Sequence, residues 1–495
     1  MSSAVPSSAW QSAVLLAALV FFSSIYFYEG GGWNQNSRFD LLRAIVEHHT
    51  LRIDEYHENT GDKAHFQGHY YSEKAPGLVF FTVPIALIAR PVISLFGADP
   101  GGAGGELALS DVAGMWAGAL PMAIAAACLF FVALRFGCSP RAAGFGTIVM
   151  CLGTPLWAYS SLFWAHVLVG ACLLLALLAG IKLRDASAPR MDLWWGLAVG
   201  LLAGWATVTE YPAAPASAVL AAFALSQAWS RGASARWRVL GGISIGAAVC
   251  VAVLLGYLYA AFGSFRPSYS YYDPSSFAFM QQRGFYGLTY PHPDRLLKLL
   301  FGCSRGLFFA SPVALAAPLG LWKIWKQRIY SGAALVAGSV TAYYFLLNSS
   351  FYWWKSGLSF GPRYAGASIP LLCCGLPVVW QKSSKPWRRV LLALGAFSVL
   401  SALIVVATTS QLSMQDSCPL LHSSWPEFWS GHLALNQVSM LTVGEARIRP
   451  HSGAFNLGEL VGLHGLASLL PLLAVWIGFA FLWRWLHRQQ TSSSV

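Results

Sequence analysis

Charge is what this chain has least of. Only 11% of its residues are Asp, Glu, Lys or Arg, against 56% hydrophobic, where a soluble domain carries about 25% charged residues. With a mean hydropathy of +0.54, that shortage excludes an ordinary soluble fold and places the chain in a bilayer. Several motifs are missing too. There is no CxxC pair, no P-loop, no dinucleotide-binding glycine pattern and no HExxH, so the commonest thiol-redox, nucleotide and zinc-hydrolase signatures are absent. No internal repeat is visible, which removes the commonest sequence pointer to an alternating-access transporter. The first apolar run, Ala13 to Phe27, has no basic segment before it and no small-x-small site after it, and reads as an uncleaved anchor. The net charge of +12 comes from short basic clusters between apolar runs, a positive-inside pattern and not a nucleic-acid surface. Of nine cysteines, Cys128, Cys151, Cys172, Cys250, Cys373 and Cys374 lie in apolar runs and read as small buried hydrophobes. Cys303 and Cys418 fall in predicted outer loops, where a disulfide is allowed.

What is present is a series of apolar runs long enough to span a hydrocarbon core. They cover 11–28, 112–134, 143–160, 164–181, 192–209, 213–229, 239–262, 307–322, 331–347, 366–380, 389–409 and 461–483. The fold class is therefore an all-α polytopic membrane protein of twelve spans, or thirteen if the further run 78–96 crosses. Charge argues for twelve. The clusters Arg135/Arg141, Lys182/Arg184/Arg190, Arg231/Arg236/Arg238, Lys323/Lys326/Arg328, Lys382/Lys385/Arg388/Arg389 and Arg484/Arg488 fall at every second connection only if 78–96 does not cross. All six are then cytoplasmic, with both termini inside. The 78–96 segment, carrying Pro84, Arg90 and Pro91, is expected to lie on or dip into the outer leaflet.

The chain then divides into a first helix (1–28), a large extracytoplasmic loop (29–111) and a membrane core (112–262). A second loop (263–306), C-terminal spans (307–409) with an outer loop at 348–365, a third loop (410–460) and a last helix with a cytoplasmic tail (461–495) complete it. Long segments on one face and short basic ones on the other put the working surface away from the cytoplasm. A bacterial inner membrane fits, and nucleotide-dependent chemistry does not.

The first loop is the richest in chemistry. Between Asn34 and Gly77 lie Asp40, Glu47, Asp54, Glu55, Glu58, Asp62 and Glu73, seven of the chain's twenty acidic residues. Long loops between spans are unusual without a task. Arg38 to His48 has the spacing of a short amphipathic helix, with Phe39, Leu42, Ile45 and Val46 on one side and Asp40, Arg43 and Glu47 on another, and Ser37 is placed to cap it. The following TGDKAHFQGHYYSEKAPG is turn-rich and ends at Pro76 and Gly77.

Tyr70 to Pro84, YYSEKAPGLVFFTVP, read after RFDLLRAIVE, resembles the first extracytoplasmic loop of the GT-C superfamily, integral-membrane glycosyltransferases that use a polyprenyl-phosphate sugar. Protein O-mannosyltransferases and the lipid A aminoarabinose transferase belong to it. Glu73-Lys74-Ala75-Pro76-Gly77 matches the family's Asp-Lys-Ala-Pro-Gly type of motif. Thr209-Glu210-Tyr211-Pro212, Ser304 to Phe309 with Ser311-Pro312, and Phe360-Gly361-Pro362-Arg363-Tyr364 also resemble bacterial members. The ordered set runs from about residue 11 to 410. One departure stands out: where the family places an Asp or Asp-Glu pair after the first span, this chain has Asn34, Gln35 and Asn36.

The resemblance implies sugar transfer from a polyprenyl-phosphate donor to a hydroxyl of an extracytoplasmic lipid, glycan or protein, among membrane lipids and with no nucleic acid. Such transfer needs a base for the acceptor hydroxyl and cations for the departing phosphate. Candidate catalytic acids are Asp54, Asp62 and Glu73, the last two with a lysine alongside that should keep them ionised. The alternative for each is a solvated carboxylate or a structural ion pair. Lys74, matching the family's phosphate-contacting lysine, joins Arg283, Arg305 and Arg363 as donor-phosphate candidates, against interfacial snorkelling. Glu210, near a span end, and the aromatics Tyr271 and Tyr364 are substrate-binding candidates, although an interfacial aromatic belt looks similar. No protein-only metal site is expected; a Mg²⁺ or Ca²⁺ bridging carboxylates to phosphate is the one cofactor considered. The 410–460 loop, with His422, Trp425, Glu427, His432 and Asn436, is assigned to the acceptor side by position. The competing functions are a secondary transporter or lipid flippase and a non-catalytic assembly subunit. The former should concentrate polar residues at mid-bilayer depth, whereas here they crowd the predicted outer loops.

Topology is directly testable. Reporters fused near Gly104 and near Asp62 should both map outside, and one near Gly137 inside; a cytoplasmic signal at Asp62 would remove the first loop from the chemistry.

Overall fold

The chain begins with an apolar helix, α1 (Ser7–Ile25), followed by a polar one, α2 (Trp33–His48). In the computed structural model, which describes residues 7–186, 188–275, 278–441 and 453–492, eight more helices join α1 as long and apolar enough to cross a membrane. They are α3 (Gly77–Leu95), α4 (Ala103–Arg135), α5 (Ala165–Leu183), α6 (Pro189–Thr209), α7 (Ala233–Phe262), α8 (Arg363–Lys382), α9 (Lys385–Thr408) and α10 (Gly465–Arg488). Nine such helices are therefore present among the described residues, against twelve apolar runs read from the sequence.

The shortfall has local causes. The expected span 143–160 breaks into Pro140–Leu152 and Leu156–Ser160 around Pro155. The expected 213–229 is a helix of 14 residues, Ala214–Gln227. Ser311 and Pro312 divide 307–322 among Leu307–Ala310, Pro312–Ala316 and Ala317–Lys326. Ser331–Ser350 has the length but is diluted by Tyr343, Tyr344 and Asn348. Segment 78–96 forms the continuous α3 despite Pro84 and Pro91. Arg90 on α3 pairs with Glu47 of α2 at 2.9 Å.

Helices α6 and α7 make a long close contact through Gly196 and Gly200 on one and Gly242 and Gly246 on the other. Each pair is four residues apart, so both glycines face the partner and let the backbones approach. All seven free cysteines are buried.

Helix α2 starts five residues earlier than expected, with Gly32 at its N-cap. Ser37 therefore lies inside the helix and bonds the Ser72 hydroxyl at 2.8 Å instead of capping. The helix buries most of its surface, charged residues included. Asp40 is fully buried and accepts from Asn59 Nδ2 at 3.1 Å, while Arg43 pairs with Glu106 and lies 4.0 Å over the Tyr56 ring. Helix α2 is thus an internal strut, not a surface helix.

The turn-rich run after it is a hairpin. Strand Lys63–Phe66 pairs antiparallel with His69–Ser72 around Gln67 and Gly68, both with positive φ, as a two-residue hairpin turn requires. A second small sheet joins Phe27–Tyr28 to Phe455–Asn456, bringing the end of the 410–460 loop to the start of the first; residues 442–452 of that loop and the last residues of the expected tail lie outside the described residues.

A disulfide joins Cys303 to Cys418. Beside it, the side chain of Arg305, 1% exposed, donates to the carbonyls of Ser304, Lys355, Gly357, Leu412 and Ser413 at 2.8–3.3 Å. Burial pushes its guanidinium down to about 10, still charged at neutral pH. One buried fork thus holds three chain segments together. Replacing Arg305 by Leu strands these carbonyls, so the thermal unfolding transition should drop, equivalent to about 3 kcal/mol or more. An unchanged transition with lost affinity for polyprenyl phosphate would return Arg305 to the phosphate-binding role its sequence context suggests.

Candidate active site

The Glu73-Lys74 pair is positioned by what flanks it. The strand His69–Ser72 delivers it from one side, and Gly77 opens α3 on the other. A β-carbon at Gly77 would fall 2.5 Å from the Thr209 hydroxyl oxygen, so only glycine lets the motif sit against the end of α6. That contact brings the motif to Glu210, the residue after α6. Asp62 immediately precedes the first hairpin strand, its N–H donating to Thr60 Oγ1 at 3.0 Å. Ser268 Oγ donates to the Glu73 carbonyl at 2.5 Å, attaching the second loop.

At the centre, Lys74 Nζ lies 2.8 Å from Asp62 Oδ2 and also contacts Glu73 Oε1. Tyr272 donates its hydroxyl to Asp62 Oδ1 at 3.0 Å. Burial pushes the Asp62 carboxyl up, but Lys74, Arg363 and the Tyr272 hydroxyl outweigh it and hold Asp62 below the usual carboxylate range. Glu73, with a side chain only 1% exposed, goes the other way. Burial, together with the Asp62 charge, outweighs the attraction of Lys74 and raises its carboxyl. The neighbouring lysine favours ionisation of both acids, as expected from the sequence, but at Glu73 it is outweighed. Two carboxylates share one ammonium in a low-dielectric site, and their carboxyls shift in opposite directions. Burial lowers Lys74, yet Asp62 and Glu73 raise it on balance, so the ammonium stays charged.

Around this centre stand Arg38, Glu210, His166 and Arg363. Arg38, buried on α2, interacts electrostatically with Glu210, Glu73 and Asp62. Glu210 Oε1 lies 2.8 Å from His166 Nδ1 on α5, an ion-pair contact. Burial pushes the Glu210 carboxyl up, but His166, Arg38 and Arg363 bring it below its ordinary value. Arg363 lies 4.7 Å over the Trp164 ring and 5.4 Å over that of Tyr364. Among the described residues, no carboxylate comes within ion-pair distance of its guanidinium.

The candidates separate accordingly. Asp62, Glu73, Lys74, Glu210 and Arg363 converge, with Tyr364 beside Arg363. Asp54 instead accepts from the Tyr70 N–H at 2.6 Å and contacts His69 at 2.8 Å, side chain 40% exposed, bracing the hairpin. Arg283 is exposed, 5.5 Å over the Tyr352 ring. Tyr271 stacks flat on Phe262 at 4.5 Å and meets Phe66 edge-on, an apolar packing role. In the third loop, His422 pairs with Asp416 and His432 with Glu427, each at 2.9 Å, while Asn436 bonds the Glu29 and Gly31 carbonyls.

The amide run is also placed. Asn34 accepts from Arg38 one helical turn on, and Asn36 Nδ2 donates to Asn59 O at 3.0 Å and Ser439 O at 3.2 Å, holding the third loop against α2. Sequence reasoning did not select Arg38, His166 or Tyr272. His166 had a usable signal, an ionisable residue at the start of an apolar span. Tyr272 lies in the aromatic-rich second loop, a signal shared with its neighbours, and Arg38 had none apart from the fold that turns it inward. Among the described residues, no group of three or more His, Cys, Asp or Glu is placed to hold a metal ion.

Neither a family model nor a curated protein matches the chain. Solved structures do. ArnT from Cupriavidus metallidurans bound to undecaprenyl phosphate superposes with a TM-score of 0.53 at 18% identity, over 86% of this chain and 69% of that one. Its apo state gives 0.51 at 18% identity, over 85% and 67%. At this identity the likeness is one of fold, and it agrees with the resemblance carried by the Glu73 to Gly77 motif. The chain has the GT-C-like membrane fold that the ArnT structures have.

Proposed function

We propose that this protein transfers a sugar from a polyprenyl-phosphate donor to a hydroxyl of an acceptor on the extracytoplasmic side of a bacterial inner membrane. The observation that carries the reading is the pairing of Lys74, locked by Asp62 and Glu73, with Arg363, a guanidinium without an acidic partner among the described residues. Arginine grips phosphate with a bidentate fork and lysine adds a point charge. The ArnT likeness supports the donor class, since one of its structures holds undecaprenyl phosphate.

In the reaction, the acceptor oxygen attacks the anomeric carbon and its bond to the phosphate oxygen breaks. The phosphate leaves with the electron pair, and its growing charge falls to Lys74 and Arg363. Because these cations are already fixed, little reorganisation accompanies departure. Asp62 serves chiefly to aim Lys74, with one oxygen on the ammonium and the other on Tyr272. Trp164 and Tyr364 flank the Arg363 guanidinium and offer faces for the donor sugar. A Mg²⁺ or Ca²⁺ accompanying the donor would have to be held by Asp62 or Glu73, both already engaged by Lys74, and would supply further charge compensation to the phosphate; chelation decides it, lost activity and donor binding supporting the ion and unchanged values removing it.

The phosphate is charged in the ground state and more so on leaving, so Lys74→Ala and Arg363→Ala should each weaken undecaprenyl phosphate binding and lower turnover. Asp62→Asn should do both to a smaller degree, by loosening Lys74. Asp54→Asn and Arg283→Ala should stay within about threefold of the parent, as surface changes do. Binding can be followed with undecaprenyl phosphate in nanodiscs and turnover with a pool of extracted polyprenyl-phosphate sugars. Parent-level values for both Lys74→Ala and Arg363→Ala would overturn the phosphate site.

A further inference from the structure

The transfer needs a proton acceptor, and the acids beside Lys74 fit that task poorly. Asp62 has both oxygens engaged, at 2.8 Å by Lys74 and at 3.0 Å by Tyr272. Glu73 is almost wholly enclosed and its Oε1 is taken by Lys74. Across the same site stands His166, in the first turn of α5, with the Glu210 carboxylate 2.8 Å from its Nδ1. Its ring is enclosed by Tyr159 and Trp164, each with ring centroids 5.8 Å away, and Trp164 also carries Arg363 on its face. Among the described residues, nothing hydrogen-bonds its Nε2.

We propose that His166, oriented by Glu210, is the general base that takes the acceptor's hydroxyl proton. The inference rests on the transferase reading and adds the residue which that reading leaves unnamed. A carboxylate at Nδ1 favours the tautomer with its proton there and leaves the Nε2 lone pair free to accept. As the acceptor oxygen bonds to the anomeric carbon, its proton passes to Nε2 and the phosphate departs with its electrons toward Arg363 and Lys74. Glu210 then faces an imidazolium, whose charge it balances, and the proton returns to water after product release. An ionisable residue within an apolar helix is functional by default, and here it stands one aromatic ring from the guanidinium assigned to the leaving group. The charged and titratable groups around it are Glu210 after α6, Arg38 on α2, Arg363 opening α8 and Tyr159 on Leu156–Ser160. Burial and the two arginines oppose protonation, and Glu210 favours it.

The test uses the full chain in nanodiscs, with undecaprenyl phosphate as the binding probe and extracted polyprenyl-phosphate sugars for turnover across pH. His166→Gln retains a polar side chain but cannot take a proton. It should bind the probe within about twofold of the parent while turnover falls about 10²-fold or more. The acidic limb of the rate profile should disappear with it. Glu210→Gln should keep a limb but move it to lower pH, because the imidazolium loses its counter-charge. Added imidazole should restore part of the rate to His166→Ala. A His166→Gln protein with parent turnover, or with an unchanged acidic limb, would overturn the proposal. If His166→Gln does not fold, an unmoved limb in Glu210→Gln would overturn it alone. Loss of turnover with intact probe binding in Asp62→Asn, and not in His166→Gln, would assign the base to Asp62. A parent protein that binds the probe but transfers no sugar from any pool would overturn the transferase reading itself, and the base with it.

Discussion

Lys74 meets two carboxylates in a place with little water, and most of the site's properties follow from that crowding. An ammonium can balance one carboxylate, and burial disfavours every charge left over. The conflict resolves by asymmetry: Asp62, with the extra help of Tyr272 and Arg363, stays ionised, while Glu73 is pushed toward its neutral form. The wider group gathers the cations Arg38, Lys74 and Arg363 with the carboxyls of Asp62, Glu73 and Glu210. The arginine that lacks a carboxylate among the described residues is the one beside Trp164, and a half-buried cation without a counter-charge is what an anion would stabilise.

Such an array has to be held rigidly, because charges free to move apart would draw in water and lose their mutual effect. Contacts of three kinds supply the rigidity. Gly77 lets the backbone of the Glu-Lys motif press on Thr209, which fixes the distance to Glu210. Serine and tyrosine side chains of the second loop cross to Glu73 and Asp62. Farther out, Arg305 and the Cys303–Cys418 disulfide join the second and third loops beside the 355–357 segment that leads to Arg363. Arg305 sits in a motif that looks like phosphate recognition, yet its fork is saturated by carbonyls. In this fold the arginine acts by holding the loops beside the candidate site.

The sequence made the membrane character, the first loop as the seat of chemistry and the GT-C-like fold legible, because those rest on long runs and an ordered motif. The number of spans was less so. Hydropathy sums over a window and does not register that Pro155 or Pro312 breaks a helix inside it. Lys74, Asp62, Glu73, Glu210 and Arg363 were legible as charged residues beside glycine, proline or aromatics. Asp54 and Arg283 had equally suggestive neighbours and yet face away, for nothing local distinguishes a hairpin brace from a site acid. Arg38 was invisible for the opposite reason. On α2 it looked like one more surface charge, and only tertiary packing, which also buries Asp40 and Arg43, turns it inward.

The run Asn34-Gln35-Asn36, the chain's main departure from the family it resembles, gains a physical sense in this setting. An acid at position 34 would stand one helical turn from Arg38 and neutralise it. The amide accepts from the same guanidinium while leaving its charge available to Glu210 and Glu73. Asn36, meanwhile, ties the Ser439 segment to α2, a contact in which an aspartate would repel the carbonyl it faces. The amides thus leave the Arg38 charge unneutralised at position 34 and keep the loop attachment. On the reading proposed above, proton chemistry then falls to a group with a carboxylate of its own, and of the side chains gathered here the imidazole beside Glu210 meets that condition.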